Sequence, residues 1–437
     1  MLRLELTTRR ICLFVFLLAL VLDLGQGIVR YRHVLGLTGQ QFIDIQQFDA
    51  RVHVTLAQRI LNGQGYTIPL SIGRPEEVQP AFIKAPGYPY LLAALFWLTG
   101  ISFSFFPLQC LAGAVLGVLV VLVSMQVFGD PLAALIAGLS AALNPILINS
   151  ASQLYNENIY FCLFFLALLL YLRWWQAPSF QGALLCGIIA GFDALVRELV
   201  IPSFLALIVL VVIRVWRRSK RSALLYAVSL TAGLLIAILP WTIRNYVVTG
   251  AIVPISAISG FAVGAGNNSC VAAGKWTTAF YGDDPCPSLD EQRYALLAAW
   301  NREPRVVLND RAYMILGLAY VREHPGEYLK LCVRRAWTFF DPWHPRQDLH
   351  GRKKLAMALY FLIFLAPGVI GAVWFFLHGA RDMASPLYVL ILAGYLPLAL
   401  IFIPHDHRFS IGVHLILGMF AGVWMAHIFG RRAVPKP

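Results

Sequence analysis

The sequence predicts an all-α polytopic membrane protein, and three observations carry that reading. Of its 437 residues 59% are hydrophobic and only 13% are charged, about half the charge of a soluble domain. Apolar runs of about 18 residues or more recur along most of the chain, and each is long enough to cross a bilayer as a helix. The basic residues of the short loops gather on one side of the membrane, as the positive-inside rule requires. Open sheets and lipid-facing loops would leave backbone groups unpaired in hydrocarbon, so helices are the expected form.

The first span is 11–28. Arg3, Arg9 and Arg10 precede it and no small-residue cleavage site follows, so it reads as an uncleaved signal anchor with a cytoplasmic N-terminus. Further spans are read at 105–128, 131–148, 157–176, 181–197, 199–215, 222–240, 355–378, 385–403 and 409–429, about ten in all. Counting from the N-terminus puts Arg173, "RVWRRSKR" (Arg214 to Arg221), Arg381 and the tail residues Arg431, Arg432 and Lys436 on the cytoplasmic side, with both termini. Arg334, Arg335, Arg352, Lys353 and Lys354 fall on the opposite side, in a long segment of the kind that largely escapes the rule. Three regions follow: an N-terminal membrane module over 1–240, whose first extracytoplasmic loop is 29–104; a long extracytoplasmic segment over 241–354; and C-terminal membrane helices with a short tail over 355–437.

Ala81–Gly100, "AFIKAPGYPYLLAALFWLTG", reads as a surface-lying or re-entrant helix rather than a span. Its apolar part is too short to cross, and counting it would turn the arginine-rich loops outward. Before it, Phe48, Val52, Leu56 and Ile60 recur every four residues, a helical stripe that ends at "NGQG". The net charge of +13 is read as an orienting charge and not as a nucleic-acid footprint, since no such motif accompanies it. Cys270 and Cys286 lie in a polar loop and could pair if that loop faces an oxidising compartment.

The polar residues that stand out fall on the extracytoplasmic side. Asp49 and His53 are one helical turn apart, either as interacting partners or with Asp49 serving the helix N-terminus. Lys84 precedes a helix start fixed by Pro86 and Pro89, where it could meet an anion or simply reach the interface. Tyr88 follows it. Glu157 opens a span, and Arg244 follows "LPWTI". Asp193, Arg197 and Glu198 are read as falling between two spans, where opposite charges could neutralise one another. In "FIPHDHRFSI", His405, Asp406 and His407 are weak candidates for a divalent metal, and Arg408 adds a cation. Fixed cations beside a carboxylate suit a sugar carried on a lipid phosphate: the cations stabilise the departing phosphate and the carboxylate takes a proton from an attacking hydroxyl. No phosphate-binding glycine loop points to a nucleotide substrate. A flippase or transporter of a lipid-linked saccharide would also need cations, but along both halves of a central path and with repeat symmetry.

At these residues the sequence resembles the GT-C glycosyltransferases. "FDARVHVTLAQRILNGQGY" is similar to their first-loop acidic motif, and "FIKAPGYPYLLAALFWLTG" to their lysine-bearing juxtamembrane segment. "PWTIRNY", "LVRELVIP" and "REHPGEYLKLCVRRAW" resemble later parts of the pattern, closest to the bacterial branch related to protein mannosyltransferases and aminoarabinose lipid A transferases. The resemblance implies a GT-C fold with about ten spans and extracytoplasmic juxtamembrane helices. It also implies inverting transfer of a sugar from a polyprenyl-phosphate donor, embedded among membrane lipid, to a glycan, lipid or protein acceptor. The implied setting is the outer face of a bacterial inner membrane. Asp49 matches the catalytic acid and Lys84 the phosphate-contacting lysine, with Arg408 and Arg244 as further phosphate partners. His53, Tyr88, Glu157 and Arg197 are supporting candidates. His53 stands where the family commonly has tyrosine.

Overall fold

Long apolar sequences satisfy their backbone groups in lipid only as helices, and the chain folds accordingly. The computed structural model describes residues 6–31, 48–71, 74–100, 105–273, 286, 289, 292–293, 295–296, 305–338, 351–378, 381–400 and 407–429. Among these, six helices are long and apolar enough to cross a membrane, a bent pair is long enough to do so if its two parts act as one span, and three shorter apolar helices accompany them. The expected all-α polytopic architecture of an integral membrane protein is therefore present. Its surface is inverted as lipid demands: Leu13, Leu17 and Val21 on the first helix face outward, while Val15, Ala19 and Asp23 face inward.

Helix α1 (Leu6–Tyr31) packs on α4 (Phe105–Phe128) and α5 (Pro131–Ala142). Between α1 and α4 lie α2 (Phe48–Leu61), an antiparallel hairpin of β1 (Thr67–Ser71) and β2 (Arg74–Pro80), and α3 (Gly87–Thr99). The hairpin is an addition to the helices-only expectation; Pro69, Pro75 and Pro80 obscure it in the sequence, because proline removes ladder donors. Helix α2 stops at Gly63 and Gly65, whose positive φ values of 71° and 70° suit glycine. Of the expected stripe, Leu56 is buried beside Tyr66 and Ala81, with Val52 and Ile60 packed against them, and the Phe48 side chain lies outside the described residues. A second face, carrying Ala50, Val54 and Ala57, is buried in the main core, so α2 is held on two sides. Helix α3 has 13 residues, about 20 Å of rise, too little to span a bilayer.

The expected span 131–148 is not one straight helix. Helix α5 is followed, after a 51° bend, by α6 (Pro145–Ala151). Asn144 explains the break: its side-chain oxygen accepts from the amides of Ile146 (3.0 Å) and Leu147 (3.2 Å), starting a new helix at Pro145. Helices α7 (Glu157–Gln176), α8 (Phe180–Val196), α9 (Val200–Trp216) and α10 (Lys220–Thr249) follow. Helix α10 continues through Pro240, past the expected limit of its span. Helices α8 and α10 approach so closely that a Cβ on Gly187 would overlap the Leu230 carbonyl, and one on Gly233 the Leu184 carbonyl.

The long segment after α10 carries α11 (Ser259–Gly266), α12 (Ser269–Ala272), α13 (Arg305–Glu323) and α14 (Pro325–Thr338). Cys270 and Cys286 form a disulfide with Cα atoms 6.0 Å apart. Helix α15 (Arg352–Tyr360) continues through a π-helical turn (Phe361–Leu365) into α16 (Ala366–His378). Helix α17 (Arg381–Leu400), a 3-10 turn (His407–Ser410) and α18 (Ile411–Ile428) complete the described chain. The core runs between α4, α7, α8 and α18 and is rich in aromatic rings.

Candidate active site

Three of the expected residues meet at one point, and each is put there by the end of an element. Glu157 is the first residue of α7, Arg197 caps the C-terminus of α8, and Arg408 lies in the 3-10 turn before α18. Arg197 donates from Nη1 to Glu157 Oε1 at 2.7 Å, and Arg408 Nη1 stands 3.6 Å from the same oxygen. Glu157 is only 1% exposed, so its charge is compensated by these two guanidinium groups. One carboxylate thus holds two guanidinium groups side by side.

Aromatic and amide groups hold the arginines. The Arg197 guanidinium lies 4.9 Å from the Phe409 ring centre and also donates to Asn156 Oδ1 at 3.3 Å. Asn156 is itself fixed by donating to the Val196 carbonyl (2.9 Å). The Arg408 guanidinium stacks 4.3 Å over Tyr155. These arginines stand at the mouth of a cleft lined by Tyr160, Phe161 and Phe164 of α7, Leu390 of α17 and Ile416 of α18. A cationic mouth on an apolar cleft fits an amphiphile with an anionic head.

Arg197 had been expected to balance Asp193 or Glu198. Instead its carboxylate partner is Glu157, 40 residues away in sequence. Glu198 accepts from the Ser256 hydroxyl at 2.7 Å. Asp193 lies inside α8, not between spans, and is fully buried, with no hydrogen-bond partner for either carboxylate oxygen among the described residues.

A second cluster gathers around Tyr66. Its hydroxyl donates to the carbonyls of Lys84 (2.9 Å) and Ala85 (3.2 Å). Burial pushes the Tyr66 phenol well above its usual range, so it stays a donor. Arg244 donates to the Tyr66 carbonyl at 3.0 Å and lies 4.8 Å from the Trp241 ring centre and 5.3 Å from that of Phe82. Arg244 and the Lys84 backbone are thus tied to opposite ends of one tyrosine. Trp241, which donates to the Ile255 carbonyl at 3.0 Å, fixes this wall to the segment after α10.

Two contacts join the clusters. Gly87 packs against the Leu195 carbonyl so closely that a Cβ would stand 2.8 Å from it, which seats the start of α3 on the end of α8. Tyr88 accepts from Gln109 Nε2 at 2.6 Å; Gln109 also donates to the Tyr155 carbonyl beneath Arg408. The His53 ring meets Tyr88 edge-on with centres 5.0 Å apart. Gln109, Tyr155 and Phe409 gave no signal in the sequence, because a lone amide or ring in an apolar run looks like packing.

Asp49 lies in the first turn of α2, and its side chain is outside the described residues, as is any pairing with His53. His405 and Asp406 also lie outside them, and for His407 only the backbone is described. Among the described residues no three His, Cys, Asp or Glu side chains gather to hold a metal. Glu157 is already engaged by two cations, which does not suit a divalent ion.

Residues 83–243 match the family model described as dolichyl-phosphate-mannose-protein mannosyltransferase. The stretch begins beside Lys84 and ends beside Arg244, and includes Glu157 and Arg197. No curated protein matches the chain. Among solved structures, the Archaeoglobus fulgidus oligosaccharyltransferase aligns over 97% of this chain and 50% of its own, with TM-score 0.53 and 14% identity. The chain therefore spans half the length of that protein. ArnT from Cupriavidus metallidurans aligns over 96% of this chain and 77% of its own, with TM-score 0.37 and 12% identity. The chain has the GT-C membrane fold that the order of its motifs anticipates. The likeness to the Archaeoglobus protein is one of fold, and the family model is matched over residues 83–243 alone.

Proposed function

We propose that the protein transfers a sugar from a polyprenyl-phosphate donor to an acceptor hydroxyl at the extracytoplasmic face of the membrane, with inversion at the anomeric carbon. The observation that carries this reading is the pair of guanidinium groups on buried Glu157 at the mouth of an apolar cleft. Water alone would not require such a cleft to be apolar; an isoprenoid chain would. Guanidinium groups pair readily with a phosphate head. The family match, named for a dolichyl-phosphate sugar, supports the same donor class.

In the proposed step, the acceptor oxygen forms its bond to the anomeric carbon as the bond from that carbon to the phosphate oxygen breaks. Arg408 and Arg197, with Lys84 and Arg244 on the neighbouring wall, stabilise the charge that grows on the departing phosphate. Asp49 takes the proton of the acceptor hydroxyl. Glu157 keeps the two arginines oriented and limits their mutual repulsion. The extracytoplasmic assignment, in a bacterial inner membrane, is supported by the arginine-rich short loops on the opposite side and by the Cys270–Cys286 bridge.

The test uses the full chain in proteoliposomes with a panel of polyprenyl-phosphate hexoses and pentoses and extracted cell-envelope acceptors. The wild type is expected to release polyprenyl phosphate and form glycosylated product. Asp49→Asn is expected to lose about 10²–10⁴-fold in rate while keeping the wild-type unfolding temperature. Transfer near the wild-type rate in that variant contradicts the role of Asp49. Movement of intact donor across the bilayer without transfer contradicts the glycosyltransferase reading.

A further inference from the structure

Helix α14 presents three different faces. One is clamped to the protein: Arg335, fully buried, donates to the carbonyls of Gly266 and Leu400 and to Asn267 Oδ1, and the Tyr328 hydroxyl donates to the Leu400 carbonyl at 3.2 Å. Leu400 is the last residue of α17, so α14 is fastened where that apolar helix ends. A second face is apolar and open. Leu329, Val333 and Trp337 follow one another at four-residue intervals, and are 65%, 64% and 74% exposed. The third face, about 100° further round, carries exposed Lys330 and Arg334.

Three large apolar side chains in a row do not remain in water on a soluble surface without cause. Helix α14 packs on α17, where Leu392 and Leu400 are also exposed. Tryptophan at the end of such a stripe suits the boundary between headgroups and acyl chains. The adjacent cations are placed to meet phosphate groups at that same level, as on amphipathic helices that lie in an interface.

We propose that α14 is a lipid-docking helix: Leu329, Val333 and Trp337 enter the outer leaflet, and Lys330 and Arg334 bind the headgroups of anionic phospholipids. The proposal does not depend on the reaction that the protein catalyses. It ties α14, and the helices α12 and α13 that α14 packs on, to the outer leaflet in a way that depends on the charge of that leaflet. A neutral phospholipid would satisfy the apolar stripe but not the cations. An anionic one satisfies both, with about a fivefold preference for each cation near the surface.

The experiment places the full chain, carrying benzoylphenylalanine at position 333, in nanodiscs of phosphatidylcholine alone or with a minority of phosphatidylglycerol. A second sample carries the same group at position 228, where Val228 of α10 is exposed on the apolar surface. After irradiation, intact mass should show phospholipid adducts at both positions. At 333 the phosphatidylglycerol share should exceed its mole fraction severalfold, and Lys330→Glu with Arg334→Glu should return it to the mole fraction. Lipid adducts at 228 but none at 333 overturn the docking, as do cross-links from 333 to a second copy or another protein. Adducts at 333 with no enrichment of the anionic lipid overturn the role of Lys330 and Arg334.

Discussion

Arg197 is held by three groups at once: the Glu157 carboxylate, the Asn156 amide and the face of Phe409. Lysine could not reproduce that arrangement, because only a planar guanidinium offers a fork of donors and a stacking face. Glu157 is the shared anchor, and its removal would leave two nearly buried cations facing each other. Glu157→Ala is therefore expected to cost about 3 kcal/mol, read as lowered stability to denaturant in detergent, with Glu157→Asp recovering part of it. Unchanged stability in Glu157→Ala would mean that the pair is not closed in solution. At this scale the sequence was informative about which residues are unusual and poor on who meets whom. Glu157 and Arg197 each stood out as charges at the edge of apolar runs. Their pairing did not, because it depends on how α7 and α8 are placed side by side. Arg197 has nearer carboxylates in sequence, and helix geometry turns them elsewhere.

The elements were legible where periodicity or length is decisive. The stripe of α2, its stop at two glycines and the shortness of α3 all follow from spacing. The break between α5 and α6 does not, since its apolar residues run on without a change in composition; only the Asn144–Pro145 pair marks it, and that pair also occurs at ordinary turns. The β1–β2 hairpin escaped because three prolines sit in its short strands. Tight packing between α8 and α10 was equally hidden, because it depends on Gly187 and Gly233 meeting across the two helices. Gly187→Leu is expected to force these two backbones apart at a cost of about 2–3 kcal/mol, seen as a lower midpoint of thermal unfolding in detergent. A midpoint equal to that of the wild type would show that the α8–α10 approach is looser than described.

On the scale of the whole molecule, the apolar runs announce a bundle of membrane helices, six of which are long and apolar enough to cross among the described residues, and the basic loops carry the expectation of its orientation. Neither indicates that the walls of the site come from segments more than 150 residues apart, such as Tyr66 and Arg244. Assembly does that: the end of α8, the start of α3, the start of α7 and the turn before α18 converge at one end of the bundle. There, arginines line an apolar cleft, and the proposed ligand is a lipid phosphate head. The most direct measurement is the affinity of the full chain in detergent for a polyprenyl phosphate without sugar, compared with the corresponding polyprenol. The account predicts that the phosphate binds better than the alcohol, and that Arg408→Ala, which leaves the Arg197–Glu157 pair in place, weakens phosphate binding about tenfold or more. Equal affinity for phosphate and alcohol, or full affinity in Arg408→Ala, would contradict it.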